Sequence, residues 1–112
     1  MKKKKDLPEC PVATTVQLVS GKWKLLVIQR LLDRPWRFNE LVRSIDGVSQ
    51  KVLTTTLREM QSDKIIRRRE ITVYPPHVEY SLTKLGESMR PIIKAMEDFG
   101  LLYKERRKLT AN

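Results

Sequence analysis

Apolar residues recur along this chain with a helical period as far as residue 62, alternate from 65 to 83, and return to a helical period afterwards. The first periodic stretch, Val12, Val16, Leu18 and Val19, predicts a short helix closed near Ser20 and Gly21. A second follows at once: Trp23, Leu25, Leu26, Ile28, Leu31 and Leu32 are too densely apolar for a broad solvated face, so burial in the core or an interface is expected. Asp33 to Pro35 ends it. Phe38, Leu41, Val42 and Ile45 then stand at i, i+3, i+4 and i+7, one stripe of a two-turn helix. Asp46 and Gly47 stop that helix, Gly47 being free to take a positive φ. After Val48, the Ser49 hydroxyl suits an N-cap, and the next helix runs to about Ser62 with Leu53, Leu57 and Met60 inward.

Beyond Lys64 the period falls to two. Ile65 to Val73 is rich in β-branched residues and arginine, and His77 to Thr83 alternates Val78, Tyr80 and Leu82 with polar neighbours. Tyr74, Pro75 and Pro76 lie between, so a hairpin with a stiff tip is predicted. Thr83 caps a last helical region whose apolar stripe is Leu85, Met89, Ile92, Ile93, Met96, Phe99 and Tyr103. Pro91 removes a donor and crowds the preceding turn, so a kink or a break into two helices is expected there, with Pro91 in the first turn of the second. The fold class is thus mainly α with a small β-hairpin. The layout divides into a basic tail over 1–9 and one domain over 10–112, with a helix-turn-helix at about 38–62, a wing at about 65–83 and a C-terminal helical region at about 84–108.

Composition fits one folded domain: 112 residues, 40% hydrophobic and 32% charged. The charge is less ordinary. Lysine and arginine number 23 against 13 acidic residues, a formal +10. The run Lys2 to Lys5 reads as a solvated tail, yet taking four lysines from +10 still leaves +6, so the body itself is basic. A basic surface is the footprint of a protein that gains affinity by displacing counterions from phosphates. No stretch has the 18 or so apolar residues of a membrane span and the start lacks a secretory apolar segment, so a cytoplasmic protein without membrane contact is expected. One cysteine, Cys10, and one histidine, His77, exclude an intrachain disulfide and leave no zinc-ligand spacing; neither metal nor cofactor is expected. An enzyme would need a nucleophile, a base and an oxyanion site converging on a pocket, and the chain has neither those pairings nor a glycine-rich phosphate loop.

Two short helices joined by a glycine-containing turn and followed by a hairpin give a winged helix-turn-helix, whose second helix enters the major groove of DNA. With Leu53, Leu57 and Met60 inward, the opposite face presents Lys51, Thr55, Arg58 and Ser62, flanked by Gln50 and Thr54 and led by Ser49. Glu59 lies toward one side. Arginine grips guanine in bidentate fashion, glutamine does the same to adenine, and threonine bonds to a base edge or touches a thymine methyl. Ser49, Gln50, Lys51, Thr54, Thr55 and Arg58 are therefore the candidate base-reading set. In the wing, alternation sends Arg68 to the opposite face from Arg67 and Arg69, so Arg67, Arg69, His77 and, ahead of the hairpin, Arg37 are the candidate backbone contacts. His77 is the weakest cation of these, since an ordinary imidazole is mostly neutral at pH 7. Apolar residues at both ends exceed what so small a domain can cover. Val12, Val16, Ile92, Met96, Phe99 and Tyr103 are the expected homodimer interface. A winged helix used for RNA or protein binding is the rival reading; against RNA, Trp23, Phe38 and Tyr80 fall at positions expected to be buried, leaving Trp36 and Tyr74 as candidates for exposure.

Taken together, Cys10-Pro11-Val12, Gly21-Lys22-Trp23-Lys24-Leu25-Leu26, Arg37-Phe38-Asn39-Glu40-Leu41, Ser49-Gln50-Lys51-Val52-Leu53, Leu57-Arg58-Glu59 and Pro75-Pro76-His77-Val78-Glu79-Tyr80-Ser81-Leu82-Thr83 closely resemble the HxlR-type family of bacterial winged helix regulators, relatives of the MarR group. The likeness covers about residues 10–100. It implies a homodimer bound to double-stranded DNA, reading through 49–62 and dimerising through both chain ends. It also implies that Cys10 is the position where some members sense oxidants or electrophiles; the alternative for Cys10 is a small apolar filler. This chain departs from the family pattern at Ser20 and Lys64, where glycine is common, and at His77, where arginine is usual.

Overall fold

A computed structural model describes residues 6–111, with side chains as far as Lys108. The lysines of the 2–5 run lie outside the described residues. Of the rest of the expected tail, 6–9 carries no helix or strand and is tied to the body where the Pro8 carbonyl accepts from the Thr14 hydroxyl at 3.1 Å.

The elements follow in the order α1 (Pro11–Val19), α2 (Lys24–Asp33), β1 (Trp36–Arg37), α3 (Phe38–Ser44), α4 (Gln50–Ser62), β2 (Ile66–Ile71), β3 (His77–Leu82), α5 (Lys84–Glu87) and α6 (Arg90–Ala111). The expected punctuation is where these helices start and stop. Pro11 opens α1, and Gly21, at φ 104°, follows its end. Gly47 takes φ 88° between α3 and α4, where a side chain would be strained. The Ser49 Oγ accepts from the Val52 amide at 3.1 Å and begins α4. Thr83 Oγ1 accepts from the Gly86 amide at 3.0 Å and begins α5, and Pro91 stands in the first turn of α6, so the last helical region is broken as its proline requires.

One element exceeds the expected hairpin. β1 pairs antiparallel with β3, making a three-stranded sheet in the order β1-β3-β2. Two residues are too few to show alternation. Arg34, extended ahead of Pro35 as that proline demands, delivers Trp36 to Tyr80 and Arg37 to Glu79. Trp36 is half-buried rather than free: its indole N–H donates to the Arg30 carbonyl at 2.9 Å, and the Arg34 guanidinium lies 4.0 Å from the ring centroid. Trp23 and Phe38, expected to be buried, are half-buried, whereas Tyr80 is buried and Tyr74 at the wing tip is 90% exposed.

The core is the meeting of the predicted stripes: Val27, Ile28 and Leu31 from α2, Leu41 from α3, Leu53, Leu57 and Met60 from α4, Ile66, Tyr80 and Leu82 from the sheet, and Met89 and Ile93 at the start of the C-terminal helices. Thr56 is also buried there, a polar residue that the apolar pattern passes over. The wing is fastened back by Thr83, whose hydroxyl donates to the Lys64 carbonyl at 2.6 Å. Gly86 packs so closely on the Ile65 carbonyl that a Cβ would collide with it.

Candidate nucleic-acid interface

Helix α4 carries its two faces on one short cylinder. Leu53, Leu57 and Met60 are fully buried, and Lys51, Thr55, Arg58 and Ser62 are all exposed on the side away from them. Gln50 is exposed and Thr54 half-buried on the flank, next to the exposed Ser49 cap. Glu59, the helix's own carboxylate, is drawn sideways into an ion pair with Lys24 of α2 at 3.2 Å. The outward face is therefore cationic and polar without an opposing charge. Both threonine hydroxyls of that region donate within the helix, Thr54 to the Gln50 carbonyl at 2.8 Å and Thr55 to the Lys51 carbonyl at 3.2 Å. In this state they offer a visiting base acceptor oxygens and methyl groups, not free donors.

The sheet register divides the wing's cations. Arg67 pairs with Ser81, Arg68 with Tyr80 and Arg69 with Glu79. Arg37 also pairs with Glu79, so Arg37, Glu79 and Arg69 form one row across the three strands. Arg67 and His77 lie on the same face two residues away along their strands. The His77 Nδ1 stands 2.7 Å from the Pro75 carbonyl and its Nε2 3.9 Å from Glu79. The four expected backbone contacts thus share a sheet face, gathered around one carboxylate, and that face is opposite the one that packs toward α4. Arg68, set aside in reading the sequence, is on the α4 side. It pairs with Glu70 at 3.2 Å and borders a concavity of about 330 Å³ with Thr54, Arg58 and Gln61 of α4 and Phe38, Val78 and Tyr80. Hydrogen bonding to Glu70, and next to Tyr80, raises the Arg68 pKa above its already basic range. The signal for this placement was the pairing of Arg68 with a tyrosine expected in the core, which needs the strand register.

At the entrance to α3, the Glu40 carboxylate accepts from the Arg37 amide at 2.9 Å and from Arg34 Nη1 at 3.2 Å. The backbone bond first, and Arg34 second, hold the Glu40 carboxyl below its ordinary range.

At the chain ends, Val12 (71%), Val16, Ile92, Met96, Phe99 (65%) and Tyr103 are all exposed. Thr15 and Leu18 of α1 share an apolar cleft of about 170 Å³ with Leu85, Met89 and Ile92, so the two terminal stripes adjoin. Cys10 is exposed at the N-cap of α1. Among the described residues there is no cluster of three potential metal ligands, and no helix is long and apolar enough to cross a membrane.

A helix pair whose second member exposes a basic face, followed by a small antiparallel sheet closing against it, defines a winged helix-turn-helix. The chain belongs to the HxlR-like helix-turn-helix family, whose profile matches residues 18–108. It is 42% identical over 101 residues to YdeP, an HTH-type transcriptional regulator of Bacillus subtilis, covering 90% of this chain and 79% of that one. Among solved structures it resembles the redox regulator HypR in its reduced form, with a TM-score of 0.80 and 36% identity over 92% of this chain and 100% of that one. It also resembles the reduced form of the transcriptional regulator YodB from B. subtilis, with a TM-score of 0.74 and 30% identity over 82% and 91% of the two chains.

Proposed function

We propose that this protein acts in the cytoplasm as a homodimer that binds pseudo-palindromic double-stranded DNA sequence-specifically, laying α4 of each protomer in the major groove. The observation that carries this reading is the carboxylate-free exposed face of Lys51, Thr55, Arg58 and Ser62 directly behind a fully buried Leu53, Leu57 and Met60. A solvated amphipathic helix mixes both signs of charge on its outer face; this one has moved its acid onto Lys24. Ser49, Gln50 and Thr54 extend the reading surface toward the helix N-terminus. Arg37, Arg67, Arg69 and His77 serve the phosphate backbone. Two-fold symmetry places the half-site centres about one helical turn apart, or a multiple of it. Fragments selected from genomic DNA supply the operator. On it Arg58→Ala should then cost roughly 1–3 kcal/mol, with a smaller loss on random duplex. Equal losses on both would remove Arg58 from base reading.

Cys10 is the proposed control point. Its thiol is exposed at the head of α1, whose Val12 and Val16 belong to the proposed dimer interface, and HypR and YodB, the latter also solved after diamide treatment, mark this architecture as one that carries redox control. Two Cys10 thiols, one per protomer, would give up two protons and two electrons to an oxidant such as diamide and join in one S–S bond; with a small thiol present, each would instead form a mixed disulfide. Either product at a dimerising helix alters the separation of the two recognition helices. Operator affinity should change after diamide and a small thiol in the wild type and not in Cys10→Ser. Unchanged affinity with modification confirmed by mass would refute the switch.

A further inference from the structure

The register that sends Arg67 and Arg69 to the outer sheet face leaves Arg68 in the angle between wing and recognition helix. Thr54, Arg58 and Gln61 stand at i, i+4 and i+7, so successive turns of α4 form one wall of that angle and Arg68 rises from the other. Arg58 belongs both to this wall and to the outward face of α4, which makes it the corner where a DNA strand leaving the major groove would turn into the concavity. Besides its hydrogen bond to Tyr80, Arg68 holds an ion-pair partner in the free protein that is weak. Glu70 is its neighbour two residues along the same strand face, and 69% of the Glu70 side chain is in solvent. An ion pair this exposed is worth little and exchanges readily for a better anion. A phosphate diester is that better anion, since it offers oxygens in the geometry that a guanidinium matches in bidentate fashion.

We propose that Arg68 is a DNA-backbone contact of the wing, releasing Glu70 to take a phosphate lodged between β2 and α4. Glu70 is thereby a built-in competitor that repels the incoming strand until it is displaced. This assignment rests on the winged helix reading above, and it adds a cation on the face of the sheet opposite Arg67 and Arg69. Arg68 positions the strand and reads no base, so its effect is independent of sequence.

The test uses a random-sequence duplex as probe and measures affinity from 50 to 200 mM salt for the full chain. Arg68→Met keeps the aliphatic stem against Tyr80 and removes the charge. It should bind more weakly, and its affinity should fall about threefold less than that of the wild type across that salt range, as expected for one lost phosphate contact at a slope of about 0.9. Arg68→Lys should restore the slope, and Glu70→Gln should bind more tightly than the wild type. A merely structural Arg68 would leave the salt slope of Arg68→Met unchanged and Glu70→Gln no tighter, and that pair of results overturns the proposal. A wild type that binds no duplex at all would overturn the DNA-binding function proposed above instead, and Arg68 with it.

Discussion

Lys64 holds a conformation that disfavours any residue with a Cβ. It follows α4 at φ 67°, the left-handed region. Its amide donates to the Gln61 carbonyl at 2.9 Å, and that of Ile65 to the Met60 carbonyl at 3.0 Å, the paired bonds of a Schellman ending. A residue with a Cβ loses roughly 1–2 kcal/mol in that region, part of which glycine returns as unfolded-state entropy. Lys64→Gly should therefore raise stability by about 1 kcal/mol, read as a Tm increase of roughly 4 °C at fixed protein concentration. No increase would mean that the Lys64 side chain makes up the strain elsewhere. Glu40 gives a second residue-scale expectation. Because its folded pKa lies below the ordinary carboxylate value, its contribution is complete above that ordinary value and disappears as pH falls through the depressed one. The Tm of Glu40→Ala should thus lie below that of the wild type at pH 7, and the gap should close on acidification. A gap that is constant down to pH 3 would remove the charge from the explanation.

At the scale of elements, the sequence was most informative where one side of an element is buried and its ends are marked. α4 is legible because Ser49 caps it and Leu53, Leu57 and Met60 fix its rotation, which in turn fixes Lys51, Thr55 and Arg58. The break at Pro91 is legible because proline acts locally. β1 is not: a two-residue strand exists through its partner β3, and nothing local in Trp36 and Arg37 names that partner. The side taken by each wing arginine has the same origin. Alternation separates Arg68 from Arg67 and Arg69, but only the pairing with Tyr80 says that Arg68 faces α4. Thr56 escaped for another reason, since a threonine counts as polar in the pattern and is nevertheless buried here.

The whole molecule is longer than its core requires. Its radius of gyration is 16.2 Å, against about 13 Å for a compact chain of this length, and its longest dimension is 55 Å. The excess is α6, whose 22 residues span about 33 Å, while among its described side chains the last buried hydrophobic one is Ile93 in the first turn. An uncovered helix of the remaining length is marginal in water, and here it displays Met96, Phe99 and Tyr103 on one face. In the homodimer proposed above a second copy would supply the missing cover, two-fold symmetry setting the same stripe against itself together with Val12 and Val16 of α1. Phe99 is the place to test this: it is among the most exposed residues of the stripe, and its ring pairs with Tyr103, with centroids 6.4 Å apart. Phe99→Glu should leave the helix-turn-helix folded, sediment as a monomer at micromolar concentration where the wild type sediments as a dimer, and lose helicity as the overhang frays. It should also bind a two-half-site operator far more weakly, since the second half-site no longer gains the effective concentration that linkage to the first provides. A variant that remains dimeric would move the interface off this stripe.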